Sequence, residues 1–241
     1  MVKVVAVNGS PKMDKGNTHA VLEPFLEGMK EAGAEVELFY IKKLKVKPCQ
    51  GGFICWNKTP GECWQKDDMQ WLGPKMGKAD IWVFATPVYV DGVSGPLKML
   101  LDRLIPLVHG PFERRDNHCR HPLREEYVRG KLVLVSNCGF WEMDNFDPLV
   151  VHMQAACKNM SREYAGALLR PHGGAMRVLK ELGSIPEDVV EAARDAGRQL
   201  VRDGKMKPET LATVSRELVP FDMYFDMASK GLAPTQETVK S

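Results

Sequence analysis

Ser10, Lys12, Gly16, Asn17 and Thr18 crowd hydroxyl, ammonium and amide donors into one short polar stretch, SPKMDKGNT, just after the apolar run Val2 to Val7 and the pair Asn8-Gly9. Donors of these types bind anions when they stand at a helix start, whose first N–H groups lack partners and carry the positive end of the helix dipole. Gly9 and Gly16 add backbone conformations closed to other residues. The chemistry this pattern predicts is the holding of a phosphate monoester. A solvated strand-to-helix turn that binds nothing would use the same residue types.

Elimination narrows the choice of phosphate. No Gly-Lys pair is followed by Ser or Thr, and no G-x-G-x-x-G follows a strand, so the loops of nucleotide hydrolases and of dinucleotide binders are both missing. A mononucleotide such as FMN remains. Two further sets of residues could border its ring. Pro87, Val88, Tyr89 and Asp91 follow the apolar run 80–86, where an aromatic ring can lie beside a flavin and a backbone N–H can bond its edge. The alternative there is a rim aromatic packed on its own loop. Cys138, Gly139 and Phe140 follow the run 131–136, where Cys138-Gly139 lets a backbone come close or simply makes a turn.

Thiols and imidazoles form two more groups. Cys49, Cys55 and Cys63 share the Gly, Pro and Trp-rich stretch 45–68, while Cys119, Cys138 and Cys157 are scattered. In a reducing compartment such clustering means metal, redox chemistry or burial more often than disulfides. His109, His118, Cys119 and His121 lie in the polar, Arg-rich stretch 106–130, where a metal site is conceivable, but no spacing matches a known one and a solvated loop explains the same residues.

The elements needed to position these residues follow from periodicity. Apolar runs at 2–7, 34–40, 80–86, 131–136 and 164–169 read as strands, the continuous ones as buried on both faces. Helical spacing runs from an Asn17 cap to about Ala32, from Pro96 to Leu104, from the cap and first-turn pair Asp147-Pro148 to Met160, and from a capping box at Ser184–Glu187 to about Arg202. Five β/α alternations argue an α/β fold with a doubly wound five-stranded parallel sheet. Ligands in such sheets bind at the carboxyl ends of the strands, where loops 8–18, 86–95 and 136–145 meet. Residues 45–68 are too long for an ordinary connection and read as an inserted loop.

Composition sets the outer limits. At 241 residues and 44% hydrophobic, the chain suits one α/β domain with elaborations. Lys+Arg 33 against Asp+Glu 31 leaves no electrostatic footprint for nucleic acid. No apolar run approaches the ~20 residues of a membrane-spanning helix, and the apolar part of MVKVVAVNGS is too short for a signal peptide, so a cytoplasmic location is expected.

Taken together, NGSPKMDKGNT, TPVYVDGVSGPLKMLLDR and SNCGFWEMDNF resemble the flavodoxin-like NAD(P)H-dependent FMN reductases, and specifically their iron-sulfur flavoprotein branch, over roughly residues 1 to 200. The resemblance implies a flavodoxin-like fold and FMN. Its phosphate would be held by Ser10, Lys12, Gly16, Asn17 and Thr18. Its ring would be bordered by Pro87, Val88, Tyr89 and Asp91 on one side and by Cys138, Gly139 and Phe140 on the other. The branch carries four closely spaced cysteines, of which Cys49, Cys55 and Cys63 fit the first, third and fourth, while Gly52 stands at the second. Glycine offers no ligand, so a [4Fe-4S] cluster is not expected unless another group completes the site.

The function this implies is an FMN-dependent oxidoreductase, passing electrons from NAD(P)H as co-substrate to a quinone, free flavin or other small acceptor. No residue need act as general acid or base. A flavodoxin-type electron carrier, ferredoxin-linked and with or without a cluster, is the alternative, although a carrier would typically show a strong field of one sign and the net charge here is only +2. A nucleotide-binding sensor without turnover is a third reading. The domain expectation is an FMN-binding unit at 1–203 and a C-terminal helical extension at 204–241. Leu211, Val214, Leu218, Phe221, Tyr224, Phe225 and Met227 give that extension more apolar surface than a tail should leave in water. A homodimer or homotetramer with the flavin near a subunit boundary is therefore expected, or else a segment folded back on its own domain.

Overall fold

The computed structural model describes residues 1–232. In chain order the elements are β1 (Lys3–Asn8), α1 (Asn17–Glu31), β2 (Glu35–Tyr40), α2 (Ile54–Asn57), α3 (Met69–Gly77), β3 (Ile81–Pro87), α4 (Gly95–Asp102), the hairpin strands β4 (Glu113–Arg115) and β5 (His118–Arg120), β6 (Lys131–Asn137), α5 (Asp147–Asn159), β7 (Glu163–Arg170), α6 (Gly173–Glu181), α7 (Glu187–Asp203), α8 (Pro208–Ser215) and α9 (Phe221–Leu232). Residues 233–241 of the expected extension lie outside the described residues.

The main sheet is parallel, in the order β2-β1-β3-β6-β7. This is the flavodoxin-like doubly wound order, with its switch point between β1 and β3. Strand alternation fills both faces. Val4, Ala6, Val83, Ala85, Val133 and Val135 face α1 and α7, while Val5, Val7, Trp82, Phe84, Leu132 and Leu134 face the layer of α3, α4 and α5. Both sets are buried, which is why the strands read as unbroken apolar runs. Among the described residues no helix is long and apolar enough to cross a membrane.

Two glycines set the tightest helix contact. A Cβ on Gly28 of α1 would fall 1.8 Å from Arg194 O of α7, and one on Gly197 of α7 would fall 2.1 Å from Phe25 O of α1. The two backbones therefore touch where both lack side chains, and Arg194 and Arg198 tie the rim of the contact to Glu27 and Glu31.

Several expected boundaries shift. The N-cap of α1 is Gly16, so Asn17 is the first helical residue and no side chain caps the end. Asp147 likewise opens α5 from inside, behind Phe146. The Ser184 capping box does not form, because Pro186 is the N-cap of α7. Stretch 106–130 is not all loop. Asp116 and Asn117, at φ 53° and 60°, close the β4–β5 hairpin, as expected of a two-residue turn that needs positive φ at both positions.

The C-terminal extension folds back. Arg170, fully buried at the end of β7, donates to the carbonyls of Val214 at 2.7 Å, Ser215 at 3.3 Å and Arg216, capping the last turn of α8. Val214 and Tyr224 are buried, while Phe221, Met223 and Phe225 are not.

Candidate functional site

Asn8, Pro87 and Asn137 end three neighbouring strands on one edge of the sheet, with Asn8 level with Ala85 and Pro87 level with Asn137. Their loops are stitched together. Gly9 N–H donates to Ala85 O at 2.8 Å, and Ser94 Oγ donates to Gly9 O at 2.8 Å. Val88 N–H donates to Asn137 O at 2.9 Å, and Thr18 Oγ1 donates to Asn137 Oδ1 at 2.5 Å. Thus the three loops expected to meet do meet.

In the first loop Asn8 Oδ1 accepts Ser10 N–H at 2.8 Å, and Ser10 Oγ accepts Lys12 N–H at 3.3 Å, so the Ser10 hydroxyl hydrogen is left to point elsewhere. Asn8 is fully buried, yet its Nδ2 has no partner. The start of α1 has no side-chain cap, leaving the N–H groups of Asn17 and Thr18 open. Gly16 is extended, at φ −90°, so conformational freedom is not what it supplies. A Cβ there would lie 2.7 Å from Ser10 Oγ, and it is this close approach that requires glycine. Donors thus outnumber acceptors around one point, with Lys12 exposed at its rim. That is the donor set a phosphate monoester fits. Thr18 contributes differently from expectation: its hydroxyl is engaged with Asn137, and what it offers an anion is its N–H.

The second loop is a tight hairpin. Tyr89 N–H donates to Gly92 O at 3.0 Å and Gly92 N–H to Tyr89 O at 3.2 Å, with Val90 and Asp91 at φ 46° and 60° between them. A β-branched residue with positive φ is strained, and Val90 is 99% exposed, so among the described residues no side-chain packing offsets the strain. Pro87 is buried and Val88 half-buried, whereas Tyr89 and Asp91 stand exposed beside the tip.

In the third loop Cys138 is buried and Gly139 and Phe140 are exposed. Burial pushes the Cys138 thiol up to about 11, so it stays protonated and donates to Phe140 O at 3.2 Å. Cys138 is a packing thiol, not a nucleophile. A groove of about 440 Å³ beside α1 is lined by Asp14 to Asn17 of the first loop and the start of α1, and otherwise by α1, α6, α7 and their flanking residues; neither Tyr89 nor Phe140 lines it.

The inserted loop is organised by a cation. Arg103, buried after α4, donates to Asp67 Oδ2 at 2.6 Å and Oδ1 at 3.0 Å, to Lys47 O at 2.7 Å and to Cys63 Sγ at 3.3 Å. Burial alone would raise the Asp67 pKa, but the Arg103 hydrogen bonds and charge hold it below the usual carboxylate range. Cys55 is buried and Cys49 exposed, and burial together with the nearby Cys63 raises the Cys55 pKa. With Gly52 at the second cysteine position and the Cys63 sulfur engaged by Arg103, the residues present do not make a four-thiolate cluster site. His109, His118, Cys119 and His121 do not form one either. His121 Nδ1 bonds His109 O at 2.8 Å and its ring packs tilted against Trp56, 4.4 Å between centroids, and among the described residues no group of three or more His, Cys, Asp or Glu is placed to hold a metal.

Sequence reasoning missed Asn8, Ser94 and Asn137, which stitch the loops, and the pair Arg170 and His172. Polar residues at the ends of apolar strands were the available signal for Asn8 and Asn137.

Comparison with known proteins agrees with this geometry. A family model described as NADPH-dependent FMN reductase matches residues 2–139. An iron-sulfur flavoprotein of Archaeoglobus fulgidus is 40% identical over 102 residues, covering 42% of this chain and 48% of that protein. Another, from Methanocaldococcus jannaschii, is 38% identical over 115 residues, covering 48% and 58%. The match thus spans about half the length of these relatives. Among solved structures, an NAD(P)H:quinone oxidoreductase from Methanothermobacter marburgensis superposes with TM-score 0.57 at 19% identity, covering 83% of this chain and 96% of that one, which shows the shared fold. FMN, as the loops predict, with a reduced nicotinamide co-substrate, as the resemblance implies, is what the matched family uses. With more than half of its residues matched, and with the three loops of the match converging on one sheet edge, the chain belongs to the NADPH-dependent FMN reductase family.

Proposed function

We propose that the protein is an FMN-dependent oxidoreductase that draws electrons from NAD(P)H and passes them to a quinone, a free flavin or another small acceptor. The observation that carries this reading is the unpartnered, buried Asn8 Nδ2 beside the uncapped start of α1, on the edge where the three loops join. In this reading Ser10, Lys12, Asn17 and the Thr18 N–H hold the phosphate, with Gly16 admitting it. Pro87, Val88, Tyr89 and Asp91 border the ring on one side, and Cys138, Gly139 and Phe140 on the other. Bound FMN supplies the two-electron chemistry, and the chain positions it and leaves Tyr89 and Phe140 exposed where a planar partner can stack. The purified protein loaded with FMN should oxidise NAD(P)H catalytically when a quinone or free flavin is added. Reduction without turnover would assign an electron carrier instead.

The unit that does this is residues 1–203, and the extension from 204 gives it a subunit contact in a homodimer or homotetramer. Supporting this, Phe221, Phe225 and Leu232 of α9 lie along one helical stripe and are exposed. A cytoplasmic setting, where NAD(P)H is supplied, accords with six free cysteines.

A further inference from the structure

Three consecutive carbonyls of the third loop are held from one side. Cys138 O accepts Gly173 N–H at 3.0 Å, and Phe140 O accepts His172 N–H at 2.6 Å. Between them, Gly139 O accepts the hydroxyl of Tyr224, from α9. All peptides are trans among the described residues, so in each the N–H points away from the carbonyl. The Phe140 N–H is directed at the Cys138 sulfur, whereas the Gly139 N–H donates to no protein group among the described residues. The Gly139 N–H therefore faces the opposite side as a free donor. Two of the three peptides are fixed by the main chain of 172–173, next to the sheet. The carbonyl of the peptide between Gly139 and Phe140 has only Tyr224 among the described residues, and that peptide adjoins the one residue of the loop with no Cβ and nothing within 4 Å of where one would be.

Tyr224 is itself well placed. His172 Nε2 accepts Leu218 N–H at 3.0 Å, and Trp141 Nε1 donates to Val219 O at 3.3 Å, which brings α9 in beside the loop. The Tyr224 ring packs edge-on to His172, 5.5 Å between centroids. Burial first, and then the nearby Cys138, raise the Tyr224 pKa, so the phenol remains a donor.

We propose that Tyr224 is a positioning residue for the flavin: by holding the Gly139 carbonyl it fixes the glycine whose N–H is presented to the ring. This rests on the flavin site proposed above. It lies outside the stretch shared with the family, residues 2–139.

The test is Tyr224→Phe, which keeps the ring and its packing on His172 and removes only the hydroxyl. FMN and riboflavin should both bind about tenfold more weakly, by the same factor, since the loss is at the ring and not at the phosphate. The potential of the bound flavin should move to a more negative value, because a donor that stabilises charge on the reduced ring has been loosened. Hydrogen exchange of the wild-type protein gives a second reading: the segment 139–141 should exchange quickly without flavin and slowly with FMN or riboflavin. Wild-type affinity and potential in the variant would overturn the proposal, as would a segment 139–141 that flavin does not protect. A wild-type protein that takes up no flavin would overturn the site itself, and this proposal with it.

Discussion

Asn8 occupies the last position of β1 with one side of its amide satisfied by Ser10 N–H and the other, Nδ2, facing no protein acceptor. A buried donor left unsatisfied costs about 1–3 kcal/mol, a cost that disappears when an anion accepts from it. Asn8→Asp tests this cleanly. The new carboxylate can still accept Ser10 N–H, so the loop keeps its shape, but the donor becomes a negative charge. FMN binding should fall by about 10- to 100-fold or more, with riboflavin, which lacks the phosphate, nearly unaffected. Equal losses for both ligands would move the phosphate away from Asn8. Gly52 makes a second test. Its φ is ordinary, the positive φ of +65° belonging to Gly51, and a Cβ on Gly52 would meet nothing closer than Ile54 at 3.8 Å. Gly52→Cys should therefore fold without backbone strain and, on anaerobic reconstitution, take up a [4Fe-4S] cluster that the wild type treated alike does not. Four iron atoms per chain in the wild type would refute the ligand count.

At the scale of elements, the C-terminal extension hangs on two side chains at the end of β7. Burial, and then the Arg170 charge, push His172 down to about 4. The unfolded histidine titrates near 6.5. Between these values the unfolded chain binds a proton that the folded one refuses, so stability falls as pH drops from about 6.5 to about 4 and is flat in this respect above it. The difference is at most about 3 kcal/mol. Urea unfolding of wild type and His172→Asn at pH 7 and pH 4.5 should show the wild type losing more, and parallel losses would refute the linkage. The inserted loop hangs on Arg103 in the same way. Arg103→Met leaves the buried Asp67 unpaired and should cost about 3–5 kcal/mol, read as a lower urea midpoint, whereas a surface pair such as Lys98–Asp102 should cost under about 1 kcal/mol.

These elements also show what a sequence can and cannot display. The strand Ile81–Pro87 is buried at every position, and an unbroken apolar run is the direct imprint of that burial. The hairpin 113–120 has no such imprint, since Glu, Arg, His and Cys on exposed strands neither alternate nor favour extended structure, and only the Asp-Asn pair marks its turn. Helix α6 opens on two glycines behind His172 in a left-handed conformation, the reverse of a start signal. Of the site, the loop donors were readable because they are local in sequence. Tyr224 was not, because its role comes from a carbonyl 85 residues away.

Among the described residues of the whole molecule, α9 leaves an apolar stripe exposed. Helix α9 buries Tyr224 against the third loop, and beside it run Phe221, which packs on Trp141, and Phe225, 6.0 Å apart between ring centroids, with Leu232 along the same stripe, all three exposed. A helix stripe of this kind in water is a contact in waiting. In a twofold assembly each subunit contributes it once, so one substitution is felt twice. Burying a Phe side chain is worth about 1.5–3 kcal/mol, so Phe225→Glu should weaken a dimer by at least about a hundredfold. Light scattering at micromolar concentration should find the wild type at two or four chains and the variant at one, with an unchanged circular dichroism spectrum. The bond to Gly139 O and the packing on His172 are made by Tyr224, so the Phe225 variant should keep the Tyr224 hold on the loop. If the flavin lies near the boundary, the monomeric variant should also bind FMN more weakly while the Phe140 segment stays ordered. A wild type that is monomeric at micromolar concentration would sink the assembly and leave α9 with its loop-holding role alone.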